Sequence, residues 1–426
     1  MLNSNSRMRC YQEGMRSNIS MEVLYLAHCA PDAPDKGDKI RAYHAISRLS
    51  KDFRLHVACL ADTRQQAERA RSVHQGCASF RYVVRRPKAA LAGAALRFLA
   101  GASLSEAYVW NPKLAAVVEE IAATARLGVC VAYSSVMAPY SPAGVPLLLD
   151  LCDVDSEKWA WYAKTRWPGA LYALEARRLR RQEVAMARKA VRATAITDAE
   201  ARLFESIAQL PRPLEVVSNG VDLDWFDPSA WKSRPRSDPP YLVFVGQLNY
   251  FPNAEGVSWF AREILPSLRQ RWSSLEFKIV GRAPQAGVRR LCELPGVELI
   301  DTPPDVRPWL AGALAVVAPL RMARGLQNKV LEALAMGKHV LATDEVCQTF
   351  GCDLPRGVMR WTSIAELADS LAPLFGSDHI DPAIRSAAGK FSWGSSLDRL
   401  TALVSESAGS GPEAAGSTAT QGGSAA

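Results

Sequence analysis

From residue 21 onward, short apolar runs alternate with amphipathic stretches, and the whole alternation happens twice. "EVLYLAH", "RLHVACLA", "ASFRYVVRR", "GVCVAYSS", "PLLLDLCD" and "AVRATAITD" read as strands in the first pass. "YLVFVGQ", "LEFKIVGR", "VELIDT", "LAVVAPL" and "HVLAT" read as strands in the second. Strands that alternate with helices pair in parallel through right-handed crossovers. The expected class is therefore α/β, with two doubly wound sheets, each about one domain in size. Between the passes, "PSAWKSRPRSDPP" (Pro228 to Pro240) sets four prolines among serines and charges and reads as a linker. The expected boundaries are a disordered leader over 1–20, an amino-terminal domain over 21–210, a linker over 211–240 and a second domain over 241–375. A carboxyl-terminal helix over 376–406 and a disordered Gly/Ser/Ala/Thr-rich tail over 407–426 follow. Two such halves in tandem predict a cleft between them, with ligands at the carboxyl ends of the strands.

Inside the first pass, "GDKIRAYHAISRLSKD" puts Ile40, Tyr43, Ile46 and Leu49 on one helix face. One helical stretch is expected from about Ser156 to Lys189, and Asp198 is placed to cap "AEARLFESI". Hydrophobic content of 48% and charged content of 22% are those of a soluble globular chain. No apolar run reaches membrane-spanning length, and the polar first twenty residues lack the apolar centre of a signal peptide. Nine cysteines without metal-like spacing fit a reducing cytoplasm. No G-x-G-x-x-G follows the first strand and no P-loop occurs, which argues against a dinucleotide oxidoreductase and a Walker-type ATPase. Net charge is +8, and "ARRLRRQEVAMARKAVR" (Ala176 to Arg192) is basic with a single acid. No nucleic-acid motif accompanies that run; a solvated helix face, anionic lipid or a phosphorylated acceptor each accounts for it.

Three stretches carry candidate chemistry. "RGLQNKVLEALAMGKHVLAT" (Arg324 to Thr343) reads as a helix ending at Gly337, followed by a buried strand. Its beginning is a helix N-terminus, whose free N–H groups and positive dipole end hold anions; an ordinary helix with a polar first turn reads the same way. In "PDKGDKIR" (Pro34 to Arg41), Gly37 and Asp38 sit at a turn among Lys36, Lys39 and Arg41, as a phosphate loop or a capped surface loop would. "LLLDLCDVDSEKW" ends a buried strand with Asp150, Asp153 and Asp155, which suit a divalent ion or a helix cap. Trp159, Trp161, Tyr162 and Trp167 suit either a membrane interface or a helix core face.

Together these segments resemble retaining GT-B glycosyltransferases of family 4. "VVSNGVDLDWF" resembles their interdomain segment, and "VFVGQLNYFPNAEGVSWFAREILPSLR" the first strand–loop–helix of their donor domain. "RGLQNKVLEALAMGKHVLAT" resembles the donor-binding segment. "PDAPDKGDKIRAYHAISRLS" and "DLCDVDSEKWAWYA" resemble a narrower group, the sugar transferases of exosortase (PEP-CTERM) exopolysaccharide systems.

The resemblance implies two Rossmann-like domains, the second holding a nucleotide-diphosphate sugar. Backbone N–H groups of Gly325, Leu326 and Gln327 would meet the diphosphate, with Asn328 and Lys329 adding a donor and a charge, and Glu332 accepting from the ribose hydroxyls. Gly246, Gln247 and Asn253 complete the donor set. The chain departs from the family pattern at Arg324, where a first glutamate is usual, and at Gln247 and Asn253, where an arginine and a lysine are usual. The expectation is a relocated charge: Lys329, helped by Arg324 or Arg282, faces the departing diphosphate, and Asp153 meets a sugar hydroxyl. Retaining transfer of this kind needs no dedicated nucleophile, metal or cofactor. The implied acceptor is a polysaccharide precursor, lipid-linked at the inner face of a bacterial membrane, for a cytoplasmic enzyme in peripheral contact with that membrane; no nucleic acid is expected. A nucleotide-sugar epimerase on the same fold and a non-catalytic nucleotide-sugar binder are the rival readings.

Overall fold

A computed structural model describes residues 21–33, 37–231, 239–323, 325–351, 353–376 and 380–409. The expected leader, most of the expected tail, Lys36 and Arg324 lie outside these. The chain forms two compact units. The first comprises residues 21–196, 200–217 and 397–409; the second comprises Thr197–Ala199 and Ser218–Ser396.

The first unit runs β1 (Glu22–Ala27), α1 (Gly37–Asp52), β2 (Arg54–Ala61), α2 (Arg64–Val73), β3 (Ser79–Val84), α3 (Pro87–Leu99), α4 (Leu104–Val109), α5 (Pro112–Thr124) and β4 (Leu127–Tyr133). It continues through β5 (Leu147–Cys152), α6 (Asp155–Thr165), α7 (Gly169–Lys189), β6 (Arg192–Ala195), α8 (Asp198–Ile207) and β7 (Glu215–Val216). All seven strands are parallel, in the order β3-β2-β1-β4-β5-β6-β7. The central strands are apolar nearly throughout because helices cover both faces of a parallel sheet. β7 falls inside the span expected as linker: the first unit runs to Val217, past the expected end at 210, and the main segment of the second unit begins at Ser218, before the proline-rich break.

Three local differences from the sequence reading have physical causes. The buried stripe of α1 is Ala42, Ala45, Ile46 and Leu49, while Ile40 and Tyr43 are half-buried flanks. The helix packs closely on its alanines rather than on its largest residues. The stretch 156–189 breaks into α6 and α7 around Pro168, which lacks the N–H a continuous helix needs. A methyl group on Gly169 would come 2.6 Å from Ala163 O, so only glycine permits so tight a reversal. Residues 87–124, for which the sequence reading made no assignment, form α3, α4 and α5. The start of α4 is capped from afar: fully buried Glu175 of α7 accepts from Leu104 N, from Ser105 N at 2.9 Å and from Ser105 Oγ at 2.7 Å.

The second unit runs β8 (Tyr241–Gln247), α9 (Phe251–Trp259), α10 (Leu265–Arg271), β9 (Glu276–Arg282), α11 (Ala286–Arg289), β10 (Val297–Asp301), α12 (Arg307–Gly312) and β11 (Ala315–Ala318). Then come α13 (Asn328–Ala335), β12 (Val340–Ala342), α14 (Asp344–Cys347), β13 (Val358–Arg360), α15 (Ile364–Leu371), α16 (Pro382–Ala388) and α17 (Trp393–Ala408). α17 begins in this unit and ends in the first. The six strands are parallel in the order β10-β9-β8-β11-β12-β13. One core of buried aliphatic and aromatic residues spans the whole unit. Gly246 and Gly281 pair across β8 and β9, and a methyl group on Gly281 would come 1.8 Å from Gly246 O. α9 also approaches closely: a methyl group on Gly256 would come 2.5 Å from Pro319 O.

Candidate functional site

The second sheet reverses its strand order between β8 and β11, the place where a doubly wound sheet opens a crevice. Gly246 and Gln247 close β8. Asn253, in the first turn of α9, is buried and donates from Nδ2 to Gln247 O at 2.8 Å. Beyond β11 the chain turns through Gly325, whose φ of +59° is the left-handed conformation that glycine adopts at little cost. Leu326 is buried, Gln327 is the N-cap of α13, and the helix starts at Asn328. Gln327 makes no side-chain capping bond and the first turn carries no acid, so nothing negative from the helix itself answers the positive end of its dipole.

Lys329 and Glu332 lie one turn apart on α13. Lys329 Nζ donates to Asn253 Oδ1 at 3.1 Å and to Gln327 Oε1 at 3.3 Å, and sits 5.3 Å from the centre of the Phe244 ring. Both oxygens are neutral, so the ammonium is held without being neutralised by either. Burial pushes Lys329 down to about 8 and Glu332 up to about 7, each opposed by the charge of the other. Gln247 Nε2 is buried and has no hydrogen-bond partner among the described residues. Asn219 donates to Asn328 Oδ1 at 3.3 Å and steadies the helix start. Arg282 is half-buried at the end of β9, opposite Gln247 in register.

The structure thus gathers Gly246, Gln247, Asn253, Gly325, Leu326, Gln327, Asn328, Lys329 and Glu332 at one switch point. This end of the sheet offers backbone donors, a cation, an unpaired amide N–H and a carboxylate acceptor, a set suited to a ligand with an anionic group beside hydroxyls. Asn219 and Phe244 were missed by the sequence reading. Asn219 stands in the quoted "VVSNGVDLDWF", but nothing there shows it reaching α13.

The expected phosphate loop lies partly outside the described residues, which begin again at Gly37. Gly37 and Asp38 open α1 rather than a loop. Lys39 is buried, and its Nζ donates to Asp32 Oδ1 at 2.6 Å, while Arg69 also binds Asp32. Arg41 is 2% exposed and grips fully buried Asp150 through two bonds, Nε to Oδ2 at 2.8 Å and Nη2 to Oδ1 at 2.9 Å. Thr194 Oγ1 adds a third bond to Asp150 at 2.8 Å. Each cation pairs with a buried acid, because an unpaired charge there would be costly. The same pairing removes Asp150 from the expected aspartate group, and among the described residues no cluster of His, Cys, Asp and Glu is arranged to hold a metal.

Asp153 remains at the carboxyl end of β5. Its Oδ1 is buried with no hydrogen-bond partner among the described residues. Burial, with Glu200 and Asp155 nearby, pushes its carboxyl up to about 7. Two other residues at this edge of the first sheet have left-handed backbones, Ser134 with φ 72° and Cys152 with φ 63°. Such strain in non-glycine residues gathers where a structure holds side chains for a purpose. His28, just past β1, stacks on Tyr133 with ring centres 5.1 Å apart. Sequence alone carries no signal for the strained backbones. Trp159 stacks on Tyr172 at 5.8 Å in the helix core, whereas Trp167 is 91% exposed.

Residues 239–371 match the family described as glycosyl transferases group 1. The second unit matches a glycosyltransferase domain. No curated protein matches the chain at the level of sequence. Among solved structures, sucrose-phosphate synthase from Thermosynechococcus elongatus aligns with a TM-score of 0.65 at 12% identity, over 91% of this chain and 98% of that one. HepE of Anabaena in complex with UDP and glucose aligns with a TM-score of 0.63 at 16% identity, over 90% and 99%. A glycosyltransferase from Rickettsia africae aligns with a TM-score of 0.60 at 13% identity, over 91% and 98%. The two parallel-sheet, Rossmann-like units are those of the GT-B fold, and the family match supports glycosyl transfer. Among the described residues no helix is long and apolar enough to cross a membrane.

Proposed function

We propose that this protein is a retaining hexosyltransferase of the family 4 type that uses a nucleotide-diphosphate sugar and elongates a lipid-linked exopolysaccharide precursor, in a PEP-CTERM-type system at the cytoplasmic face of the membrane. The observation that carries the reading is the convergence of an uncapped helix start, Lys329, the unpaired Gln247 amide and Glu332 at one strand-order reversal. The diphosphate rests against the N–H groups opening α13 and on Lys329, and Glu332 accepts from the ribose hydroxyls. HepE, of the same fold, is described with UDP and glucose, which supports a donor of that class. The acceptor oxygen bonds to the anomeric carbon on the face that the diphosphate leaves. The carbon–oxygen bond to phosphate breaks, and the acceptor's proton passes to a phosphate oxygen. The protein's share is positioning and charge stabilisation, so neither a nucleophile nor a metal is required of it.

The purified chain, incubated with a panel of nucleotide sugars and membrane lipid extract, is expected to release nucleoside diphosphate in proportion to sugar transferred to lipid. Interconversion of one nucleotide sugar to its epimer, or tight binding with no turnover across the panel, overturns the transferase reading.

Two binding results follow from the same site. Glu332→Ala should weaken UDP binding about tenfold or more, the worth of hydrogen bonds to a charged acceptor. Affinity for 2′,3′-dideoxy-UDP should be unchanged by the substitution; equal losses for both nucleotides would take Glu332 off the ribose. UDP affinity should also peak between about pH 7 and pH 8. Above about 8 the Lys329 ammonium loses its proton and with it the attraction for phosphate. Below about 7 the Glu332 carboxylate gains a proton and becomes a weaker acceptor. Calorimetric titrations across pH check this, and the acid limb should flatten in Glu332→Gln.

A further inference from the structure

The described residues enclose a groove of about 1000 Å³ on the first unit, along α6 and α7, far in sequence from the donor residues. Its floor is small and apolar, with Ala160 and Ala163 from α6 facing Ala170 and Ala173 from α7. Every charged residue lining it is basic: Lys164, Arg177, Arg180, Arg181 and Arg188. Arg180 is spent on Glu157 and Arg188 donates to Gln209 O, but Lys164, Arg177 and Arg181 are exposed and have no ion-pair partner among the described residues.

Along α7 the exposed residues Ala170, Ala173, Arg177, Arg181, Ala185 and Arg188 recur at intervals of three and four, which puts them on one face. A face kept wet by solvation ordinarily mixes both signs; this one holds only alanine and arginine. The tip of the α6–α7 hairpin adds Trp167, 91% exposed, and Leu171, 41% exposed. Arg178 of α7 also binds the backbone oxygens of Phe98 and Ala102, anchoring the end of α3, where Leu96 and Leu99 are 71% and 80% exposed. Arginine stems lie along apolar surface while their heads seek phosphate, and an indole with an apolar body and a polar N–H fits the headgroup level of a bilayer.

We propose that the α6–α7 face docks on an anionic phospholipid surface, with Arg177 and Arg181 on lipid phosphates and Trp167 among the headgroups. Charge complementarity and the exposed indole favour a bilayer over an acidic protein, which would need polar partners the alanine floor does not offer. The proposal adds a named surface to the membrane contact in the reading above, and its test uses no sugar donor, so failure of either leaves the other standing.

The full chain is to be floated with vesicles of phosphatidylcholine alone and of phosphatidylcholine mixed with phosphatidylglycerol. Partition onto the mixed vesicles only is expected. Arg177→Glu/Arg181→Glu should reduce it at least tenfold, and Trp167→Ala several-fold. The charge-matched pair Arg262→Glu/Arg290→Glu, exposed on the second unit, should reduce it less than twofold. Circular dichroism checks that each variant folds. Failure of the parent chain to bind mixed vesicles, or equal losses in the two paired variants, overturns the proposal. Retention of poly-glutamate without vesicle binding also overturns it and gives the groove to an acidic protein.

Discussion

Asp150→Ala should destabilise the first unit by about 3–5 kcal/mol, the cost of stranding a buried charge whose partner has been removed. Arg41 is 2% exposed and cannot reach water without tearing α1 from the sheet. Asp150 accepts both short guanidinium bonds, and Thr194 fixes its orientation. Domains are held by about 5–15 kcal/mol in total, so the loss would leave the first unit marginal at ordinary temperature. Removing both charges is a different experiment. Arg41→Met with Asp150→Leu keeps volume and leaves no orphaned charge, and should recover most of the loss. Urea unfolding of the parent, the two single variants and the double variant measures the coupling. A mild single variant, or a double variant no better than the singles, would mean the pair is not what locks α1 to β5.

Lys329→Ala should cut turnover by roughly a hundredfold or more, because a charge-assisted contact to a departing diphosphate contributes about 2–4 kcal/mol in the transition state. The ammonium is already oriented by Asn253 and Gln327, so little reorganisation is required when negative charge develops. Lys329→Arg should recover only part of the rate, since a planar guanidinium does not reproduce the compact ammonium. UDP affinity should fall much less than turnover if the contact strengthens in the transition state. Steady-state rates with the identified donor decide the matter, and unchanged turnover removes Lys329 from the chemistry.

What sequence could and could not disclose divides along a physical line. Strands buried on both faces are written as apolar runs, so the doubled alternation and the two-sheet class were legible. So was the α13 start, because a left-handed glycine, a helix and a buried strand each leave a local signature around Gly325 and Gly337. Charges are different. Arg41 read as part of a phosphate loop because its partner is not local: Asp150 stands more than a hundred positions away. The same limit hid Glu175 reaching back to cap α4, and the strained backbones at Ser134 and Cys152, which no residue type announces. Trp159 and Trp167 sit in one short segment yet face core and solvent respectively, a split that followed from the break at Pro168 rather than from their spacing.

The first unit is completed by residues from the far end of the chain. Arg48 pairs with Asp398 at 2.9 Å, Arg399 with Glu215 at 2.9 Å, and Leu400, Leu403 and Val404 of α17 are fully buried. During synthesis on the ribosome the amino-terminal sheet therefore emerges first but must wait for residues from Leu397 onward, while the second unit has all its residues in hand once Ser396 is made. Order of translation and order of completion are inverted, and a stop codon just after Ser396 would injure the half of the molecule that was made first.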